Sequence, residues 1–262
     1  MAKRWRIGTA PNPTIDRMKR GTREKRRHDY LPVVVSGSGP PVLLCHGFGM
    51  GPRAYAGVAS LLDDRVTLIL PSLLHTAGRW DPERVLAEIT AAVDERGYER
   101  LTVVGHSFGG GIALSWAAQH PDRVDALVLV DSLGLSARWQ LARDAIVGTH
   151  FIRMATWPAM REFSRSLRRS PVAFVRAGWW AFSCARDHEI ELVRAARVPT
   201  EVIWGADDSL LPTSRGSAFA ERLGARFTVV EGRSPDTVVE HDWPLAAPEL
   251  FVSTLSEVGV IP

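Results

Sequence analysis

The chain has 262 residues, 45% of them hydrophobic and 23% charged, which suits one large water-facing domain and shows no internal repeat. No uninterrupted apolar run reaches the roughly 18 residues of a membrane span, and the first residues lack an apolar signal core. Two cysteines, Cys45 and Cys184, do not make a disulfide framework, so cytoplasmic residence is expected. The formal charge of +3 is uneven: residues 1–30 hold ten Lys and Arg against three acidic residues, leaving the remainder net negative. This basic arm lacks aromatic interleaving or a nucleic-acid motif, so a solvated leader is expected and no nucleic-acid partner.

From residue 31 onward, short β-rich runs alternate with helical stretches, the rhythm of a mostly parallel sheet covered by helices. Strands are predicted at Val33–Val35, Val42–Cys45, Val66–Leu70, Leu101–Val104, Ala126–Val130, Glu201–Trp204 and Phe227–Val230, apolar without alternation as buried strands are. Between the third and fourth strands a helix has clear ends: Asp81 as N-cap, Pro82 first in the helix and Gly97 just past its last turn. Its apolar face is Val85, Leu86, Ile89 and Val93. At residues 132–198 the strand rhythm stops and the chain becomes helical, rich in Arg and Trp, with Met160, Phe163 and Leu167 on one face and Arg161, Arg165 and Arg168 on another. The predicted organisation is a core at 31–131 and 199–262, with 132–198 inserted as a helical cap.

The strongest local signal is Gly105-His106-Ser107-Phe108-Gly109, between the strand Leu101–Val104 and the helical stretch Ile112–Gln119. A serine on such a cramped strand-to-helix turn is presented as a nucleophile, with the helix N-terminus aimed at the charge its attack would create. Phosphate-cradling alternatives lack support, because no lysine follows Lys25.

Cys45-His46-Gly47-Phe48-Gly49, the serine turn, Trp204-Gly205-Ala206-Asp207-Asp208 with Pro212, and a late histidine together resemble the α/β-hydrolase superfamily. The resemblance runs from about residue 30 to the C-terminus and is weakest in the cap. It implies an α/β fold with a mostly parallel sheet and a triad in the chain order serine, acid, histidine. Ser107 is then the nucleophile and His241, after the last strand, the base. Asp208 fits the family spacing between Gly205 and Pro212; Asp131 and Asp207 are the other candidates for the acid. The backbone N–H groups of Phe48 and Phe108 would form the oxyanion hole. Two departures stand out: Leu70-Pro71-Ser72-Leu73-Leu74-His75 replaces the usual Gly-x-Gly-x-Ser turn, and Glu240 stands where glycine is common before the base.

Cap aromatics (Trp139, Trp157, Trp179, Trp180, Phe163, Phe174 and Phe182) suggest a hydrophobic small-molecule substrate. His46, His106, Trp179 and Trp180 are the candidate pocket residues. No metal or cofactor is expected. A carboxylester is the expected bond. A thioester, lactone or C–C bond cleaved by the same triad is the alternative, followed by lyase, cyclase or acyltransferase chemistry and then a non-catalytic binding protein.

Overall fold

The computed structural model describes residues 31–75, 79–135, 157–183, 185–234 and 238–262, except the side chains of 157–160, 182 and 183. The basic arm, Trp139 and Cys184 lie outside these residues, as do the side chains of Trp157 and Phe182. Seven strands form one sheet: β1 (Val33–Gly37), β2 (Pro41–Cys45), β3 (Thr67–Pro71), β4 (Leu101–His106), β5 (Val124–Val130), β6 (Thr200–Gly205) and β7 (Arg226–Val230). Their spatial order is β1-β3-β2-β4-β5-β6-β7, with β1 antiparallel to β3 and every other pair parallel. Each predicted strand is present, because a parallel sheet buried on both faces needs apolar residues without alternation.

Both faces are covered. In β2, Val42 and Leu44 face a core that includes Val58, Leu62, Trp243 and Phe251, while Leu43 and Cys45 face one that includes Val85, Ile89, Ile112 and Phe219. The covering helices are α1 (Ala56–Leu62), α2 (Pro82–Asp94), α3 (Phe108–Gln119), α7 (Thr213–Leu223), α8 (Trp243–Ala246) and α9 (Pro248–Glu257). Helix α2 starts as its residues dictate: the Asp81 carboxylate accepts from the N–H groups of Glu83 and Arg84, and Pro82 occupies the first turn.

Between β5 and β6 lie α4 (Trp157–Arg169), α5 (Pro171–Ser183) and α6 (Asp187–Ala195). Helix α4 turns only part of its Met160, Phe163 and Leu167 face inward. Phe163 is half-buried, Ser166 is buried and Leu167 is 40% exposed, so the inward stripe runs through Phe163 and Ser166, one step around the helix from Leu167. No helix among the described residues is long and apolar enough to cross a membrane.

Candidate active site

Strand β4 ends at His106 and α3 begins at Phe108, leaving Ser107 alone to turn the chain, with φ 55° and ψ −119°. A non-glycine residue in such backbone costs about 1–3 kcal/mol and persists only where its surroundings hold it. Here they do: Ser107 N–H donates to Val130 O at 2.9 Å, and Ser107 O accepts from Gly110 N–H at 2.9 Å and Leu133 N–H at 3.0 Å. The turn also requires close approach, since a Cβ on Gly109 would lie 2.1 Å from Cys45 O.

The C-terminal ends of the parallel strands bring three side chains of distant sequence together. Ser107 Oγ–H donates to His241 Nε2 at 2.8 Å, and His241 Nδ1–H donates to Asp208 Oδ2 at 2.7 Å. Asp208 Oδ1 accepts from Leu210 N–H at 2.9 Å and Leu211 N–H at 2.7 Å, which orients the carboxylate. Asp207 faces elsewhere, accepting Val239 N–H at 2.9 Å. Burial opposes the His241 imidazolium, but the charge and hydrogen bond of Asp208 push its pKa up to about 9.

The acid turn and the base loop are joined at consecutive residues. Asp207 bonds Val239, Asp208 bonds His241, and Ser209 donates from N–H and Oγ–H to Glu240 Oε2 at 3.2 and 2.7 Å. Glu240, the departure from the family pattern, thus holds the loop that carries the histidine. Asp131, the rival acid, is fully buried. Its Oδ1 accepts Gly205 N–H at 2.8 Å and its Oδ2 accepts the Trp243 indole N–H at 2.6 Å.

His46 and His106 are buried beside the site. His46 Nδ1–H donates to Gly47 O and its Nε2 accepts Leu73 N–H, an anchor for the unusual 70–75 loop. His106 Nε2–H donates to His241 O at 2.8 Å while its Nδ1 accepts Tyr55 O–H at 2.7 Å. Burial pushes the two rings down to about 4 and about 3, so both stay neutral as these tautomers. Burial likewise pushes the Cys45 thiol up to about 12, which keeps it a neutral thiol. Tyr55 had no sequence signal, being one more aromatic residue in a short 3₁₀ segment, Pro52–Tyr55.

Phe48 and Phe108 flank the serine, and a Cβ on Gly47 would sit 3.7 Å from Ser107 Cβ. Their rings pack at a centroid separation of 5.8 Å and meet aromatics of α4 and α5: Phe48 lies 6.1 Å from Phe163 and 4.5 Å from Phe174, and Phe108 lies 5.3 Å from Trp180. Trp80 completes this wall at 6.2 Å from Phe108 and 6.0 Å from Trp180. Trp180 is partly buried, whereas Trp179 is 74% exposed.

Asp131, Asp208 and His241 offer ligand atoms within 4.8 Å of one another. Both oxygens of each carboxyl group and both ring nitrogens of His241 already have hydrogen-bond partners.

An α/β hydrolase fold family model matches residues 40–175, more than half of the chain. An uncharacterised protein of Mycobacterium tuberculosis is 38% identical over 111 residues, 39% of this chain and only 32% of that protein, so the match spans about a third of its length. A 2-hydroxy-6-oxo-2,4-heptadienoate hydrolase of Pseudomonas putida is 30% identical over 239 residues, covering 78% of this chain and 83% of that enzyme. The structure of a thermophilic esterase from Thermogutta terrifontis superimposes with a TM-score of 0.71 at 20% identity, covering 87% of this chain and 92% of the esterase. The family model over more than half of the chain, together with the Pseudomonas putida relative at 30% identity over most of both chains, shows that the chain belongs to the α/β hydrolase fold family.

Proposed function

We propose that this protein is a serine hydrolase that cleaves a carboxylester of a hydrophobic small molecule through an acyl-enzyme. The observation that carries this reading is the unbroken hydrogen-bonded line from Ser107 Oγ through His241 to Asp208 at a helix N-terminus. Ser107 Oγ attacks the acyl carbon as His241 Nε2 takes its proton, and the carbonyl oxygen becomes an oxyanion. The backbone N–H groups of Phe48 and Phe108 stabilise that charge, as preorganised donors beside the nucleophile. His241 returns the proton to the leaving alcohol, then activates the water that releases the acid. Phe48, Phe108, Phe163, Phe174, Trp80 and Trp180 form the apolar lining, and helices α4 and α5 act as a cap over it.

Hydrolysis of p-nitrophenyl esters of increasing acyl length, by wild type and by a folded Ser107→Ala variant, tests this. Turnover that vanishes in the variant supports the reading; equal turnover by both overturns it. A second reading, hydrolysis of a C–C bond beside a carbonyl by the same three residues, is favoured by the Pseudomonas putida relative. A vinylogous diketone substrate that outcompetes every ester would replace the first reading by the second.

A further inference from the structure

Asp131 is a second buried carboxyl group against the three residues of the site, and the proposed chemistry does not use it. It is 0% exposed, and its backbone is left-handed, with φ 43° at a residue that is not glycine. Such strain persists where the surroundings fix it. Its main-chain N–H is tied to Ile203 O at 3.0 Å and its two oxygens to Gly205 N–H and the Trp243 indole. Gly205 begins the turn that carries Asp208, and Trp243 stands two residues after His241. The end of β5 therefore grips both the acid turn and the base loop through one side chain.

Its charge state follows from its neighbours. One ligand atom each of Asp131, Asp208 and His241 lie within 4.8 Å of one another, all buried. Burial and like charge both raise the cost of ionising two carboxyl groups so close together. Asp208 accepts three hydrogen bonds, from Leu210, Leu211 and His241, whereas Asp131 accepts two, so the negative charge rests better on Asp208. A protonated carboxyl still accepts on its oxygens and gains an O–H to donate.

We infer that Asp131 is a positioning residue, held as the neutral acid, which donates its proton to Asp208 while fastening the acid turn and the base loop to the end of β5. It leaves one carboxylate charge beside His241 instead of two. Burial first, then the charge of Asp208, raises the Asp131 pKa well above the ordinary carboxylate range, against the opposing pull of His241 and of the Gly205 N–H. The other groups around the base are Asp242 on its own loop, His106 at the end of β4, and Tyr55 below it. The two aromatic-ring groups are neutral at physiological pH. A second full charge at Asp131 would stabilise the His241 imidazolium further and carry the rise in rate to still higher pH.

This inference rests on the serine-hydrolase reading for its kinetic consequences but not for its spectroscopic one. The ¹³C resonance of the Asp131 carboxyl, in wild-type protein labelled at aspartate, is expected at the shift of a protonated acid throughout pH 5–8. A carboxylate shift at neutral pH overturns the inference without any variant. Kinetically, Asp131→Asn is expected to lower kcat about tenfold with little change in KM. The pH at which the base titrates should move by less than about half a unit. Asp131→Leu, which can neither donate nor accept, should lose about a hundredfold. A fall of a unit or more in the base pKa of Asp131→Asn, or wild-type kcat in Asp131→Leu, overturns it. If the wild type hydrolyses no ester yet shows the protonated resonance, the serine-hydrolase reading fails while the assignment of Asp131 stands.

Discussion

At the scale of single residues, the proposed chemistry depends on His241 being both a good acceptor and well aimed. Asp208 does both, by its charge and by the 2.7 Å bond to Nδ1. Asp208→Asn should therefore lower kcat/KM at pH 7 by roughly 10³- to 10⁴-fold without abolishing folding, read from ester hydrolysis beside a circular dichroism spectrum. The raised pKa of His241 fixes the sign of the pH dependence. Only the neutral ring accepts the serine proton, so kcat/KM should climb about tenfold per unit on the acid side and level off towards pH 9. Stability runs the opposite way: the folded-state pKa of about 9 exceeds the ordinary 6.5, so the imidazolium's contribution is complete below 6.5 and lost as pH rises to about 9. Melting temperature across that window should fall in wild type and fall less in His241→Gln. Ser107, His241 and Asp208 were legible in the sequence because motif and chain order mark them. Asp131 was legible only as a rival acid, because what distinguishes the carboxyls is which of them meets the imidazole across 33 residues of chain, a property of packing.

At the scale of elements, the strands could be read because each is an apolar run bounded by turn residues, and α2 because both its ends carry cap signals. Helix α4 could be read only in part: the sequence groups Phe163 with Leu167 on one face, but contacts with Gly49 and Phe48 draw in Phe163 while Leu167 stays exposed. The serine turn shows the same division between local and tertiary causes. Gly97, at φ 70° with nothing within 4 Å of a built Cβ, is needed for backbone conformation alone, so Gly97→Ala should cost about 1 kcal/mol. Gly109→Ala meets the carbonyl oxygen of Cys45, an atom of the central strand β2 that has no rotamer to yield, and should cost about 3 kcal/mol or more. Urea unfolding of the two variants, with ester hydrolysis alongside, separates the cases: Gly97→Ala should keep full activity, and Gly109→Ala should lose activity together with stability.

At the scale of the molecule, the parallel sheet delivers the end of β4, the end of β5 and the turn after β6 to one edge, and the loop after β7 closes over them. The inserted helices meet that edge through aromatic rings. Trp180 of α5 touches Phe108 and Trp80, lies under the Arg186 guanidinium at 3.7 Å, and approaches Gly111 of α3, where a Cβ would meet its ring at 3.3 Å. It therefore stands between the inserted segment and the helix that presents the serine. Replacing it by alanine removes a partly buried indole from the proposed acyl wall, leaving space that a longer acyl chain can fill and a shorter one cannot. Trp180→Ala should shift the maximum of kcat/KM in a p-nitrophenyl ester series towards longer chains, with a rise in KM for the shortest ester and a stability loss of about 1–3 kcal/mol. Trp179→Ala, one residue away but 74% exposed, should leave the chain-length profile where it was. If both variants shift the profile alike, the specificity wall is not the Trp80, Phe108 and Trp180 cluster; if neither does, the acyl chain leaves the serine by another route.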